Sequence, residues 1–155
     1  MENLSKTDQT SLPPRLPHLE MEKKADTLLM KIPTQQSSAW AVIDSCKAFM
    51  DELGVFDTLG IIVVLRELLN NALVHGNRGD MKNKVLIQIE YLKNSSFKIV
   101  VQDEGAGFDY HSLALELPED PRKHRTRGYA LINSLSSKLE FNDKGNRIAA
   151  IVTAA

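Results

Sequence analysis

"VLIQIEYLKNSSFKIVVQDEGAGFD" spans residues 85–109, and its first two thirds decide the fold class. Val85, Ile87 and Ile89 fall at every second position, and so do Phe97, Ile99 and Val101. That period belongs to half-buried strands, so strands are expected over 85–92 and 97–103. "KNSS" between them is turn chemistry, and a short turn between strands makes the pair antiparallel. A second hairpin follows near the C-terminus, where "LEFND" (139–143) and "RIAAIV" (147–152) flank "KGN". "TLLMKIP" (27–33) adds a strand closed by Pro33.

Helices separate these strands. In "SSAWAVIDSCKAFMDEL" (37–53), Trp40, Ile43, Cys46 or Lys47, and Met50 recur at helical spacing, with Ser37 or Ser38 as the N-cap and Gly54 as the stop. Asp57 is expected to cap a second helix running to His75, with Gly76 as its C-terminal signal. "GYALINSLSSK" (128–138) reads as a third. The order is strand, helix, helix, hairpin, long loop, helix, hairpin. Three amphipathic helices cover one face of a mostly antiparallel sheet, which predicts an α/β fold, a two-layer α/β sandwich. Residues 1–25, polar and carrying "SLPPRLP", are expected to be a flexible tail before a domain over 26–155.

Composition narrows the function. At 155 residues and formal net charge -1, the chain suits one domain and carries no basic field for nucleic acid. Its single cysteine, Cys46, sits in a helical apolar pattern, which excludes an intrachain disulfide and a cysteine-based zinc site. No signal core is visible and no run is expected to cross a membrane, so a cytoplasmic location without direct nucleic-acid or membrane contact is the expectation. "RGD" (78–80) and the sequon "NSS" (94–96) have meaning only in a secreted protein.

Three clusters carry chemistry. In "LRELLNNALVHGN" (65–77), Glu67, Asn71 and His75 lie along one helix face. A carboxylate and an amide oxygen one turn apart suit a Mg²⁺ ion held mainly by phosphates and water, and the carboxylate can serve as a general base. A polar helix end with a His at the negative dipole pole is the other reading. In "VVQDEGAGFD" (100–109), a strand ends in Asp103, and Gly105 and Gly107 follow. Such glycines let the main chain approach a flat ligand, and the carboxylate can accept from an exocyclic amine such as that of adenine; a tight turn is the alternative. In "PRKHRTRGYALI" (121–132), Arg122, Lys123, Arg125 and Arg127 precede Gly128 at an expected helix start, an anion site or a solvated basic loop.

In this order the three stretches resemble the histidine-kinase-like (GHKL) ATPase superfamily, which includes gyrase B, histidine kinases and MutL. Within it they are similar to the small anti-sigma-factor serine/threonine kinases of bacterial partner switching. "RELLNNALVHGN" resembles the N box, "DEGAGFD" the G1 box, and "RGYALINSLSSKLEFNDKGNRIAAIV" the C-terminal block with its G2 glycine. The resemblance covers roughly residues 26–152 and implies a Bergerat-type fold, with ATP and Mg²⁺ as cofactors. It implies Glu67 as catalytic base and Asn71 as the metal ligand, and Asp103 as the reader of adenine. It also places His75, Gly105, Gly107, Arg125, Arg127 and Gly128 around the nucleotide, with residues 110–126 as a lid. The implied partners are a STAS-type anti-anti-sigma protein and a sigma factor, with a homodimer possible. Two positions depart from the pattern: Thr126 replaces a usual glycine, and Tyr129 stands where a smaller or aliphatic residue is common. A non-catalytic module that sequesters its partner is the competing expectation. A detached histidine-kinase catalytic domain and a gyrase-type ATPase fit the chain less well.

Overall fold

A computed structural model describes residues 19–113 and 124–155. Six strands form one sheet in the order β1-β2-β3-β4-β6-β5: β1 Glu20–Lys23, β2 Thr27–Pro33, β3 Lys84–Lys93, β4 Ser96–Gln102, β5 Lys138–Phe141 and β6 Arg147–Thr153. Every neighbouring pair is antiparallel. The expected alternation sets the faces. Leu28, Met30 and Ile32, Val85, Ile87 and Ile89, Phe97, Ile99 and Val101, and Ile148, Ala150 and Val152 are all buried in one core. Helices α1 (Gln36–Glu52), α2 (Leu59–Asn70) and α3 (His124–Leu135) complete the two-layer α/β sandwich. α1 contributes Val42, Ile43, Cys46, Phe49 and Met50, and α2 contributes Ile61, Val64, Leu65, Leu68 and Leu69.

The turn over "KNSS" closes β3 onto β4 with three successive left-handed residues, Lys93, Asn94 and Ser95. At the other hairpin, β6 returns between β4 and β5, so its N-terminal end lies beside the end of β4, with Arg147 opposite Gln102. This places the G1-like loop next to the "KGN" turn.

Several boundaries differ from the sequence expectation. The expected tail over 1–25 includes an edge strand: β1 pairs through its main chain with β2 while its side chains stay exposed. Residues 1–18 lie outside the described residues. Gln35, not a serine, is the N-cap of α1, and Ser38 is buried. Thr58 rather than Asp57 precedes α2. The second helix does not stay α-helical to His75; from Asn71 to Gly76 it is a π-turn. α3 begins at His124, four residues before Gly128, and ends at Leu135, because Lys138 already belongs to β5. The stretch Leu59–Gly76 is, against expectation, long and apolar enough to cross a membrane, but half of it is buried inside this domain. Its apolarity is that of a core helix.

Candidate active site

The site forms where α2 and its π-turn meet the ends of β4 and β6. A wider helical turn commonly marks a functional position, and here it shifts the chain after Asn71. The Asn77 N–H bonds the Ala72 carbonyl, five residues back, at 2.8 Å. Gly76 then lies directly under Asp103: a Cβ on Gly76 would overlap the Asp103 carboxylate. Gly105 in turn lies on the Gly76 carbonyl, and its N–H donates to Asp103 Oδ1 at 2.8 Å. Gly107 has φ +79, and a Cβ there would strike the Lys144 carbonyl. The loop therefore needs glycine at Gly107 both for its left-handed backbone and for its fit against the "KGN" turn.

These elements line one narrow cleft. Asn71, His75 and Gly76 come from the second helix, Asp103 and Gly107 from the strand-end loop, and Tyr129 from α3. Leu68, Ala72, Val101, Phe108, Gly145 and Ile148 supply the rest of its walls. Burial raises the Asp103 carboxyl above its usual range, against the opposing pull of the Gly105 N–H and of Lys144. The cleft holds about 20 Å³ of open space, room for one water. Phe108 stacks on Tyr129 with ring centroids 5.3 Å apart, and Tyr110 stacks on Phe141 at 4.7 Å. Both rings of the first pair line the cleft. A larger hollow of about 420 Å³ lies on the outer face of the sheet, around Leu29, Leu86 and Val100. It lies away from Glu67, Asn71 and Asp103, so size alone does not locate the chemistry.

Beside the cleft, α3 packs on α2. A Cβ on Gly128 would stand 3.0 Å from Glu67 Oε2 and 3.9 Å from Asn71 Oδ1. Glu67 and Asn71 thus share one spot, as their i, i+4 spacing predicted, although the π-turn changes the pitch before His75. Asn71 is 5% exposed, and its buried Nδ2 has no hydrogen-bond partner. An unpaired buried amide N–H costs free energy, and an acceptor such as a phosphate oxygen would relieve it. Among the described residues, no group of three or more His, Cys, Asp and Glu side chains gathers to hold a metal. A cation at Asn71 would draw most of its oxygen ligands from phosphates and water, as Mg²⁺ does. In donor chemistry the residues fit a Mg²⁺ nucleotide: an amide oxygen and a carboxylate at one end, a carboxylate reader and a glycine cradle at the other.

Gly128 does not start its helix, as the sequence suggested; it is the fifth residue of α3. The turn from His124 to Arg127 precedes it within the helix. Arg125 and Arg127 belong to that turn, and their side chains lie outside the described residues, as does 114–123 of the expected lid. Residues 110–112 of that lid form a 3₁₀ turn. Glu67 also faces a second space. It lines a groove of about 250 Å³ between α1 and α2, with Gln36, Ala39, Trp40, Ile43 and Arg66. Trp40 is 56% exposed, and the Arg66 guanidinium lies 5.7 Å from its ring centroid.

The sequence reading missed the walls and the supports of this site. Phe108 and Ile148 look like ordinary strand-end hydrophobics. Asn77 and Asn146, both buried, carried one signal: each follows a glycine at the end of a motif, in "HGN" and "KGN".

A search of curated proteins finds no match to this chain. The profile of the histidine kinase-like ATPase domain matches residues 33–152, a span that runs from the end of β2 through β6 and holds every residue of the cleft. The chain belongs to the histidine kinase-like ATPase domain family.

Proposed function

We propose that this ATPase-family domain is a cytoplasmic protein serine/threonine kinase and anti-sigma factor, acting on a STAS-type anti-anti-sigma protein. The observation that carries the reading is the place of Glu67. Its carboxylate lies against Gly128, as does the side chain of Asn71, which lines the cleft, and Glu67 also lines the open groove between α1 and α2. A base for phosphoryl transfer to a protein needs that double access, with the nucleotide on one side and a hydroxyl from outside on the other.

ATP with Mg²⁺ supplies the transferable phosphoryl group when bound. Asn71 holds the cation through its amide oxygen. Asp103 accepts the exocyclic amine of adenine, and the glycine cradle of Gly76, Gly105 and Gly107 lets the main chain approach the base. Glu67 takes the proton of the incoming serine or threonine hydroxyl. Trp40 and Arg66, an exposed aromatic–arginine pair of the kind that anchors protein interfaces, offer the acceptor protein a foothold at the groove.

The test is Glu67→Gln. Transfer of labelled phosphate from ATP to purified STAS-domain proteins should fall at least about a hundredfold, with nucleotide affinity nearly unchanged. Equal loss of both would overturn the base role. The second reading, a partner-sequestering module without catalysis, is favoured by a different observation: α3 lies against Glu67, and the cleft has room for one water. Tight partner binding with no phosphate transfer would establish it.

A further inference from the structure

The main chain of Asp103 and Glu104 is held from two directions by residues far away in sequence, Asn146 on one side and Asn77 on the other. The Asp103 N–H donates to the Asn146 carbonyl at 3.0 Å. Its carbonyl accepts from Asn146 Nδ2 at 2.9 Å. The orientation of that amide is fixed in turn, because Asn146 Oδ1 accepts from Asn142 Nδ2 at 2.7 Å. Asn142 Oδ1 is itself pinned by the N–H groups of Gly145, Asn146 and Arg147. On the other side, the N–H of Glu104 donates to Asn77 Oδ1 at 2.8 Å. Asn77 Nδ2 donates to Thr34 Oγ1 at 2.8 Å and to the Lys84 carbonyl at 3.0 Å. Asn77 is 3% exposed and Asn146 9%.

Two buried carboxamides therefore fix consecutive residues of the loop that reads the ligand. Asn77 ties it to the π-turn and to β3, and Asn146 ties it to the turn before β6. Neither lies in the lining of the cleft. Polar groups this deeply buried are retained when every hydrogen bond is satisfied, and they then specify one geometry. The geometry specified here is the position of the Asp103 carboxylate.

We propose that Asn146 and Asn77 are positioning residues that set the base selectivity of the cleft, holding Asp103 where it accepts from a 6-amino purine and rejects a 6-oxo purine. The proposal rests on the nucleotide reading given above. A carboxylate is an acceptor only, so it pairs with an amine and repels a carbonyl. That discrimination is sharp only if the carboxylate cannot swing or shift away.

The experiment is a calorimetric titration of the full chain with Mg²⁺ and either ADP or inosine diphosphate, for the wild type, Asn146→Ala, Asn146→Asp and Asn77→Ala. Asn146→Asp keeps the size of the side chain and replaces the donor facing the Asp103 carbonyl with an acceptor, so it preserves the test if the alanine variant fails to fold. The wild type should prefer ADP, and the preference should fall about tenfold in each folded variant, mostly through weaker ADP binding. A preference that stays the same while both affinities or the melting temperature fall would overturn the proposal and leave the asparagines a purely structural role. A wild type that binds neither nucleotide would overturn the nucleotide reading itself, and one that binds both equally would remove Asp103 as the reader; the proposal falls in either case.

Discussion

Gly128→Ala should separate folding from chemistry. Gly128 lies inside α3, and its added methyl would meet nothing closer than Glu67 Oε2 at 3.0 Å and Asn71 Oδ1 at 3.9 Å. Alanine is favoured over glycine in a helix interior by about 1 kcal/mol. The opposing term is small, because the Glu67 carboxylate is the far end of a flexible side chain and relieves the contact by moving a few tenths of an ångström. Net stability should stay within about 1 kcal/mol of wild type, which for a domain of this size is a melting shift of roughly 2–4 °C. Chemistry is less tolerant. A displacement of about 1 Å at a catalytic group can cost on the order of a hundredfold in rate, so a shift of a few tenths of an ångström, with a methyl added beside Glu67 and Asn71, is expected to cost less than that. The assay pairs a thermal melt with release of labelled γ-phosphate from ATP, to water or to a protein acceptor. The expected result is a near-normal melt with phosphate release down severalfold to about tenfold. A variant with full activity, or one that unfolds, would refute the placement of Gly128 over Glu67.

Two further outcomes follow from the cleft. Tyr129→Leu removes the ring stacked on Phe108; it should lower the melting temperature and tighten ADP binding severalfold by calorimetry, and weaker binding would show that the ring helps hold the base instead. Burial raises the Asp103 carboxyl, so the fold disfavours its ionised form, a cost present above the folded-state pKa and relieved as pH falls through it. Because the ionised carboxylate is a stronger acceptor for an amine than the protonated acid, ADP affinity should fall on acidification with a midpoint above the ordinary aspartate value of about 3.9. Carboxyl carbon shifts followed by NMR check the same midpoint, and a value at or below the ordinary one would contradict the burial argument.

Much of this architecture was legible in the sequence, for reasons that particular residues make plain. Val85, Ile87 and Ile89 announced their strand because one face of β3 is buried while the other is partly or fully exposed. Glu67 and Asn71 could be paired because an α-helix brings i and i+4 together. What stayed hidden depends on contacts made across the chain. "EMEK" in β1 has no apolar face, and the strand exists because β2 offers it a main-chain edge. The π-turn ends at Asn77, whose side chain is bonded to Thr34, Lys84 and Glu104, contacts that no local propensity encodes. The early start of α3 lies in a basic stretch without hydrophobic period. The Asn146 clamp joins residues 43 positions apart, a pairing that spacing alone does not reveal.

The most direct test of the central claim, that this cleft binds an adenine nucleotide with Mg²⁺, is a calorimetric titration with ATP and ADP in the presence and absence of the metal. The account predicts Mg²⁺-dependent binding that Asp103→Asn abolishes and Asn71→Ala weakens. Absence of binding by the wild type up to millimolar nucleotide would contradict it and leave a closed polar cleft in a protein that acts by holding its partner.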